Sequence, residues 1–167
     1  MNQKIIIHSC NSKEEFAIAK TITQDYMKWL GMDLNFQNTD NEFQVFETMY
    51  GKPNGCFIYA TINKQIIGGV AIRKLDSEIC EMKRLFVYSS FQGNGIGKWL
   101  CEKIISIASD RGYSKMRLDT VSKLKSAIGL YQKMGFHEIG PYYPNPDATV
   151  KYMELEIWFI QLVGLNY

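Results

Sequence analysis

Three glycines fall within five positions, Gly93, Gly95 and Gly97, and the chain runs from them directly into an amphipathic stretch. From Ile96 onward, Leu100, Ile104, Ile107 and Ala108 share one face, while Lys98, Glu102, Lys103, Ser106 and Asp110 share the other. That period predicts a helix over 96–111 lying on a sheet. EMKRLFV (81–87) before the turn and KMRLDTV (115–121) after the helix read as strands. A strand, a bare turn, a helix and a second strand form a crossover, which places the second half of the chain among α/β folds.

The remaining segments extend this pattern. Residues 4–8 predict a short strand. Ser12 and Glu15 stand as a capping box ahead of an apolar stripe, Phe16, Ile18, Ala19, Ile22, Tyr26, Trp29 and Leu30, which predicts a helix running to about Leu30. A shorter helix is predicted at 40–50. CFIYATI (56–62) and QIIGGVAIR (65–73), joined by Asn63-Lys64, read as a hairpin. A helix at 125–134, a strand at 136–139, the loop GPYYPNPDAT (140–149) and a last strand at 150–160 complete the order β-α-α-β-β-β-α-β-α-β-β. No internal repeat or low-complexity linker proposes a boundary, so the chain is read as a single domain, 1–167.

Composition narrows the function classes. With 46% hydrophobic and 22% charged residues the chain is globular. Its net charge of +2 is spread without a basic block or acidic tail, which leaves no argument for nucleic acid or an anionic membrane. Cys10, Cys56, Cys80 and Cys101 lie far apart and form no C-x-x-C pair, so no metal site is expected and the thiols are read as free. The start, MNQKIIIHSC, lacks the apolar region and cleavage site of a signal peptide, and no stretch approaches the roughly 18 apolar residues of a membrane span. A cytoplasmic protein is expected. His8 and His137 form no cluster, and no Ser-His-Asp or Cys-His relay has a local signature. Cys101, or Cys80 beside Glu81, remains as an alternative covalent nucleophile.

Bare glycines let backbone N–H groups approach a ligand, and a helix that starts there adds its own free N–H groups and positive dipole end. Such a place suits a diphosphate. A P-loop fails on spacing: three residues separate Gly93 from Gly97-Lys98, and Trp99 stands where Ser or Thr must hold magnesium. A dinucleotide site gains from Asp119, placed like a ribose-binding acid. It loses from the charged strand at 81–87 and from Tyr88–Gln92, which separates that strand from the glycines. A merely structural turn is the third reading.

Two segments together carry a resemblance. EMKRLFVYSSFQGNGIG (81–97) and LKSAIGLYQKMGF (124–136) resemble the GNAT superfamily of acetyl-coenzyme A-dependent N-acetyltransferases. Gln92, Gly95 and Gly97 meet its Q-x-x-G-x-G signature, and Ala127, Leu130, Tyr131, Lys133, Gly135 and Phe136 meet A-x-x-L-Y-x-K-x-G-F. The strand order fits over essentially the whole chain. The resemblance implies a mixed α/β fold with a mostly antiparallel central sheet of about seven strands, about four flanking helices, and splayed fourth and fifth strands. It implies that Gln92, Gly93, Asn94, Gly95, Ile96, Gly97 and Lys98 hold the coenzyme A diphosphate, and that the backbone of Leu85, Phe86 and Val87 pairs with the pantetheine arm. Many relatives carry Asn where this chain has Leu124, so Ser122 or Lys125 is the expected substitute contact.

Acetyl transfer from a thioester to an amine needs a base for the ammonium, a donor for the oxyanion and a proton for the departing thiolate. By resemblance Glu81 is the candidate base, often acting through water, its other reading being a strand-surface carboxylate paired with Lys or Arg. Tyr131 is the candidate acid near the coenzyme sulfur, its other reading being a packed helix residue. A backbone N–H of 85–87 is the expected oxyanion donor.

The implied activity is acetylation of a primary amine of a small molecule, amino acid derivative or peptide by direct attack, with acetyl-coenzyme A as donor. The alternative is a non-catalytic acyl-coenzyme A-binding sensor. The acceptor pocket is expected from roughly 24–50 and 140–149, where Asp25, Asp33, Asp40, Glu42, Glu47, Tyr142, Tyr143 and Asp147 would receive a cation. The apolar tail IWFIQLVGLNY (157–167) is expected to pack on its own domain or on a second subunit, forming a homodimer.

Overall fold

The computed structural model describes residues 4–31 and 39–157. Strands β1 (Ile5–Ser9), β2 (Gly55–Ile62), β3 (Gln65–Lys74), β4 (Ile79–Val87), β5 (Lys115–Val121), β6 (His137–Ile139) and β7 (Val150–Glu156) form a seven-stranded sheet in the order β1-β2-β3-β4-β5-β7-β6. Every neighbouring pair is antiparallel except β4 and β5, which run parallel. The expected mixed sheet is therefore present.

Helix α1 (Lys13–Leu30) begins on the predicted capping box: the Ser12 hydroxyl accepts from the Glu15 N–H, and the Glu15 carboxylate accepts from the Ser12 N–H. It ends on Gly31 in a left-handed conformation. The helix predicted at 40–50 is two short ones, α2 (Thr39–Gln44) and α3 (Phe46–Tyr50), broken at Val45. The break lets Glu42 reach Arg84 while Phe46 and Tyr50 pack on Phe57. Helices α4 (Ile96–Asp110) and α5 (Lys125–Lys133) fall where the periodicity placed them.

The sheet is buried on both faces. On β2, Cys56, Ile58 and Ala60 join a core with Leu100, Cys101 and Ile104 of α4, while Phe57 and Tyr59 join Phe16, Ala19 and Ile22 of α1 and Phe46 and Tyr50 of α3. The last strand ends at Glu156 and Ile157 joins the core; residues 158–167, the rest of the apolar tail with its expected second subunit, lie outside the described residues. Among the described residues no helix is long and apolar enough to cross a membrane.

Candidate active site

The parallel pairing of β4 and β5 covers only Ile79↔Lys115, Cys80↔Met116 and Glu81↔Arg117. Beyond those pairs β4 continues to Val87 and β5 to Val121 without bonding to each other. Backbone groups of a strand alternate between its two sides, so those of β4 that face the gap have lost their strand partner. The gap opens a cavity of about 1520 Å³, larger than the ~300–1,000 Å³ of ordinary small-molecule pockets. Leu85, Phe86 and Val87 form one wall and Leu118, Asp119, Thr120 and Val121 the other.

A bulge distorts β4 just before this wall. The β3–β4 register slips between Gly69↔Phe86 and Ala71↔Lys83, and Arg84 sits at φ +62°, left-handed backbone that a side-chain-bearing residue rarely adopts. Its buried guanidinium clamps both oxygens of Glu42 on α2, and the Tyr50 hydroxyl donates to the same carboxylate at 2.7 Å. Burial alone would raise the Glu42 carboxyl; the guanidinium outweighs it and holds it below the usual carboxylate range.

At the end of β4 the chain makes a tight turn at Ser89–Phe91, followed by Gly93 at φ +80° and Gly95 at φ +76°. Only glycine takes such angles without strain, and the turn they make delivers the first N–H groups of α4, which have no acceptor within the helix, to the cavity. Gln92, Gly93, Gly95, Ile96, Gly97 and Lys98 all line it. The Gln92 amide donates to the Val87 carbonyl at 2.8 Å and so ties the turn to the gap-lining end of β4.

Two of the expected contact residues lie off the cavity lining. Asn94 does not line the cavity; its amide donates to the carbonyls of Phe91 and Gln92, so its side chain shapes the turn. Ser122 is exposed and also lies off the cavity, because its N–H is drawn to the Thr149 carbonyl across the start of β7. Lys125, the other expected substitute, does line it, as do Lys123, Leu124 and Ser126. The Lys123 ammonium donates to the Leu30 carbonyl at 2.8 Å and bridges the cavity from the β5–α5 connection to the end of α1.

Tyr131 lines the cavity and is only 7% exposed. Burial pushes its phenol well above the ordinary value, and the neighbouring Cys101, Tyr26 and Asp119 act in the same direction. Glu81 has a different setting from the one expected of a base. It is 0% exposed and absent from the cavity lining; its Oε2 accepts from Arg73 at 2.5 Å, and its Oε1 accepts from the Tyr142 hydroxyl at 2.8 Å. Tyr142, from the loop between β6 and β7, caps it through that hydrogen bond. Glu81 is thus a buried ion-paired group rather than a surface one.

The sequence model of the Acetyltransferase (GNAT) family matches residues 22–136, well over half of the chain. The chain belongs to the GNAT family. An uncharacterised N-acetyltransferase of Schizosaccharomyces pombe is 39% identical over 140 residues, covering 83% of this chain and 86% of that one. The structure is similar to a GNAT acetyltransferase of Staphylococcus aureus, with a TM-score of 0.77 at 23% identity over 92% of this chain and 99% of that one. It is also similar to an acetyltransferase of Salmonella typhimurium solved with acetyl-CoA, at 0.69 and 17% identity over 92% and 94% of the two chains. This GNAT protein is an acyltransferase.

The acids expected to receive a cation are engaged elsewhere. Asp25 accepts from the Tyr88 hydroxyl at 2.8 Å, Glu47 pairs with Lys20, and Asp147 holds Thr149; none of the three lines the cavity. Glu42 lines it but is bound to Arg84 and Tyr50. Asp33 and the Asp40 side chain lie outside the described residues. Among the described residues, the other acid that lines the cavity is Asp119, which the sequence offered only as a ribose ligand. The Tyr143 hydroxyl donates to it at 2.9 Å, and Lys83 stands 3.8 Å away. The available signal was the alternation of β5, which puts Asp119 on the same face as Arg117 and opposite Leu118.

Proposed function

We propose that this GNAT protein is an N-acetyltransferase, one domain spanning 1–167, that moves the acetyl group of acetyl-coenzyme A to a primary amine by direct attack. The observation that carries the reading is the opening of β4 from β5 beside a glycine turn that aims helix N–H groups into the same cavity. The acetyl-CoA in the Salmonella typhimurium neighbour supports the choice of donor.

The residues present fit that donor. The unpaired edge of Leu85, Phe86 and Val87 offers backbone groups to an amide-bearing arm, as a missing strand would. The turn from Gln92 to Lys98, with Lys125 nearby, offers N–H groups and positive charge to a diphosphate. The donor brings a thioester, whose acetyl carbon is the electrophile. A backbone N–H of 85–87 stabilises the charge that develops on the acetyl oxygen. Tyr131, a neutral phenol at the cavity wall, gives its proton to the sulfur as it leaves. Buried free thiols at Cys10, Cys56, Cys80 and Cys101 support a reducing, cytoplasmic setting.

The sealing of Glu81 favours a second reading, a sensor that binds acyl-coenzyme A without turning it over. Calorimetric titration with acetyl-coenzyme A and coenzyme A, followed by thiol release across a panel of primary amines, separates the two. Binding with turnover on any amine supports the enzyme. Binding with no turnover supports the sensor, and no binding defeats both.

A further inference from the structure

We propose that Asp119, rather than Glu81, is the carboxylate that takes the proton from the incoming ammonium, with Tyr143 and Asn145 holding it in place. The assignment rests on the transfer reading above.

Three carboxylates stand near the inner end of the gap, and their partners distinguish them. Glu81 is sealed beneath Tyr142 and Arg73. Glu42 is held at both oxygens by Arg84 and by Tyr50. Asp119 lines the cavity with its side chain 24% exposed. It is the second residue past Arg117, the last position at which β5 pairs with β4, and the alternation of β5 turns it away from the core that Met116 and Leu118 enter. An ammonium that approaches the gap from that side meets Asp119 where the strands part.

Its surroundings suit a base. Oδ2 accepts from the Tyr143 hydroxyl at 2.9 Å, and Asn145 donates to that hydroxyl at 3.0 Å, so the carboxylate is oriented by a loop that is itself pinned. Oδ1 has Lys83 at 3.8 Å, within ion-pair range but beyond a hydrogen bond, which leaves lone pairs for a substrate proton. Lys83 is shared with Glu81 at 3.9 Å. The charged and titratable groups around Asp119 include the shared Lys83 and the phenols of Tyr143, Tyr142, Tyr26 and Tyr131. Tyr26, Tyr131 and Asp119 line the same cavity. Base and acid thus line one cavity.

The step balances. Asp119 takes one proton from the ammonium. The freed nitrogen attacks the thioester carbonyl carbon, the C–N bond forms and the C–S bond breaks. The sulfur takes the proton of the Tyr131 hydroxyl, the second nitrogen proton returns through solvent to that phenolate, and Asp119 gives its proton to water. Ammonium and thioester become amide, thiol and one released proton.

The test uses the full chain, acetyl-coenzyme A and the best amine of the panel. Asp119→Asn is expected to lower kcat by about 100-fold or more, with the calorimetric Kd for acetyl-coenzyme A and the Tm close to wild type. Its residual rate should climb with pH as bulk base deprotonates the amine, and Asp119→Glu should recover part of the loss. Glu81→Gln should cost less. Tyr143→Phe, which keeps the ring and removes the hydroxyl's bonds to Asp119 and Asn145, should lower kcat about tenfold without changing that Kd, and it stands in if Asp119→Asn fails to fold. A kcat unmoved in Asp119→Asn, a Glu81→Gln variant that loses more, or an unmoved Tyr143→Phe overturns the assignment. A wild-type chain that binds acetyl-coenzyme A and acetylates none of the amines overturns the transfer reading, and this assignment with it, before any variant is made.

Discussion

Tyr131 owes its chemistry to its surroundings. Buried against the α4 side of the sheet, beside the Cys101 thiol and within reach of Asp119, its phenol is pushed well above 10.0. The proton therefore stays on oxygen at neutral and mildly alkaline pH, so the phenol is in its donor form when the sulfur leaves. Tyr131→Phe is expected to reduce kcat about 100-fold while the calorimetric Kd for acetyl-coenzyme A stays within about twofold. The wild-type kcat should show no alkaline fall from this group up to about pH 10, because the raised pKa keeps the acid form in place there. An unchanged kcat in Tyr131→Phe would reduce the residue to packing. Tyr131 was legible in the sequence because a motif fixes its address on a helix. The setting of Glu81 was not, because Tyr142 covers it from 61 residues away and nothing local to EMKRLFV encodes that contact.

At the scale of elements, the turn before α4 separates two uses of glycine. At Gly95 the backbone is left-handed, so Gly95→Ala should destabilise the fold by about 1–2 kcal/mol. Gly97 lies in the helix, and a methyl there would meet nothing closer than Leu130 and Val87 at 3.8 Å, so the protein itself does not need glycine at this place. Gly97→Ala should raise stability by roughly 0.5–1 kcal/mol and yet weaken acetyl-coenzyme A binding, since the methyl enters the cavity that Gly97 lines. Denaturant melts and calorimetry on the one variant decide it. A more stable chain with unaltered affinity would mean that the turn is only a turn.

The same scale governs α2. Glu42→Gln leaves the buried Arg84 charge uncompensated and should cost about 3–5 kcal/mol at pH 7. The folded carboxyl is held below its usual 4.5, so its contribution is fully present above that pH and is lost as the pH falls through the lowered value. The gap in Tm between wild type and Glu42→Gln should therefore narrow on acidification, and a gap that stays constant would show that the pair does not stabilise the fold. Most strand and helix positions were legible from period, but the break at Val45 was not. The left-handed Arg84 was not, because its conformation is imposed by the bulge and by a partner on a helix 42 residues away.

For the whole molecule, the sheet is nearly divided: three backbone pairs join β1–β4 to β5–β7, and side chains such as Lys123, reaching the Leu30 carbonyl, complete the connection. No local period reveals that two neighbouring strands fail to pair, which is why the splay was legible only through the resemblance. The division makes stability depend on what fills the gap. A ligand that binds only the folded state adds RT ln(1 + [L]/Kd), about 2.7 kcal/mol at one hundred times Kd. Acetyl-coenzyme A should therefore raise the Tm in proportion to the logarithm of its concentration, and hydrogen exchange should slow at Leu85–Val87 and across the glycine turn while β1 and β2 change little. Because Lys98, Lys123 and Lys125 sit at the solvent-facing part of the cavity, added salt should weaken the effect by screening their attraction for the phosphates. Protection spread evenly over the sheet, or a Tm indifferent to the ligand, would mean that the gap is not where acetyl-coenzyme A binds.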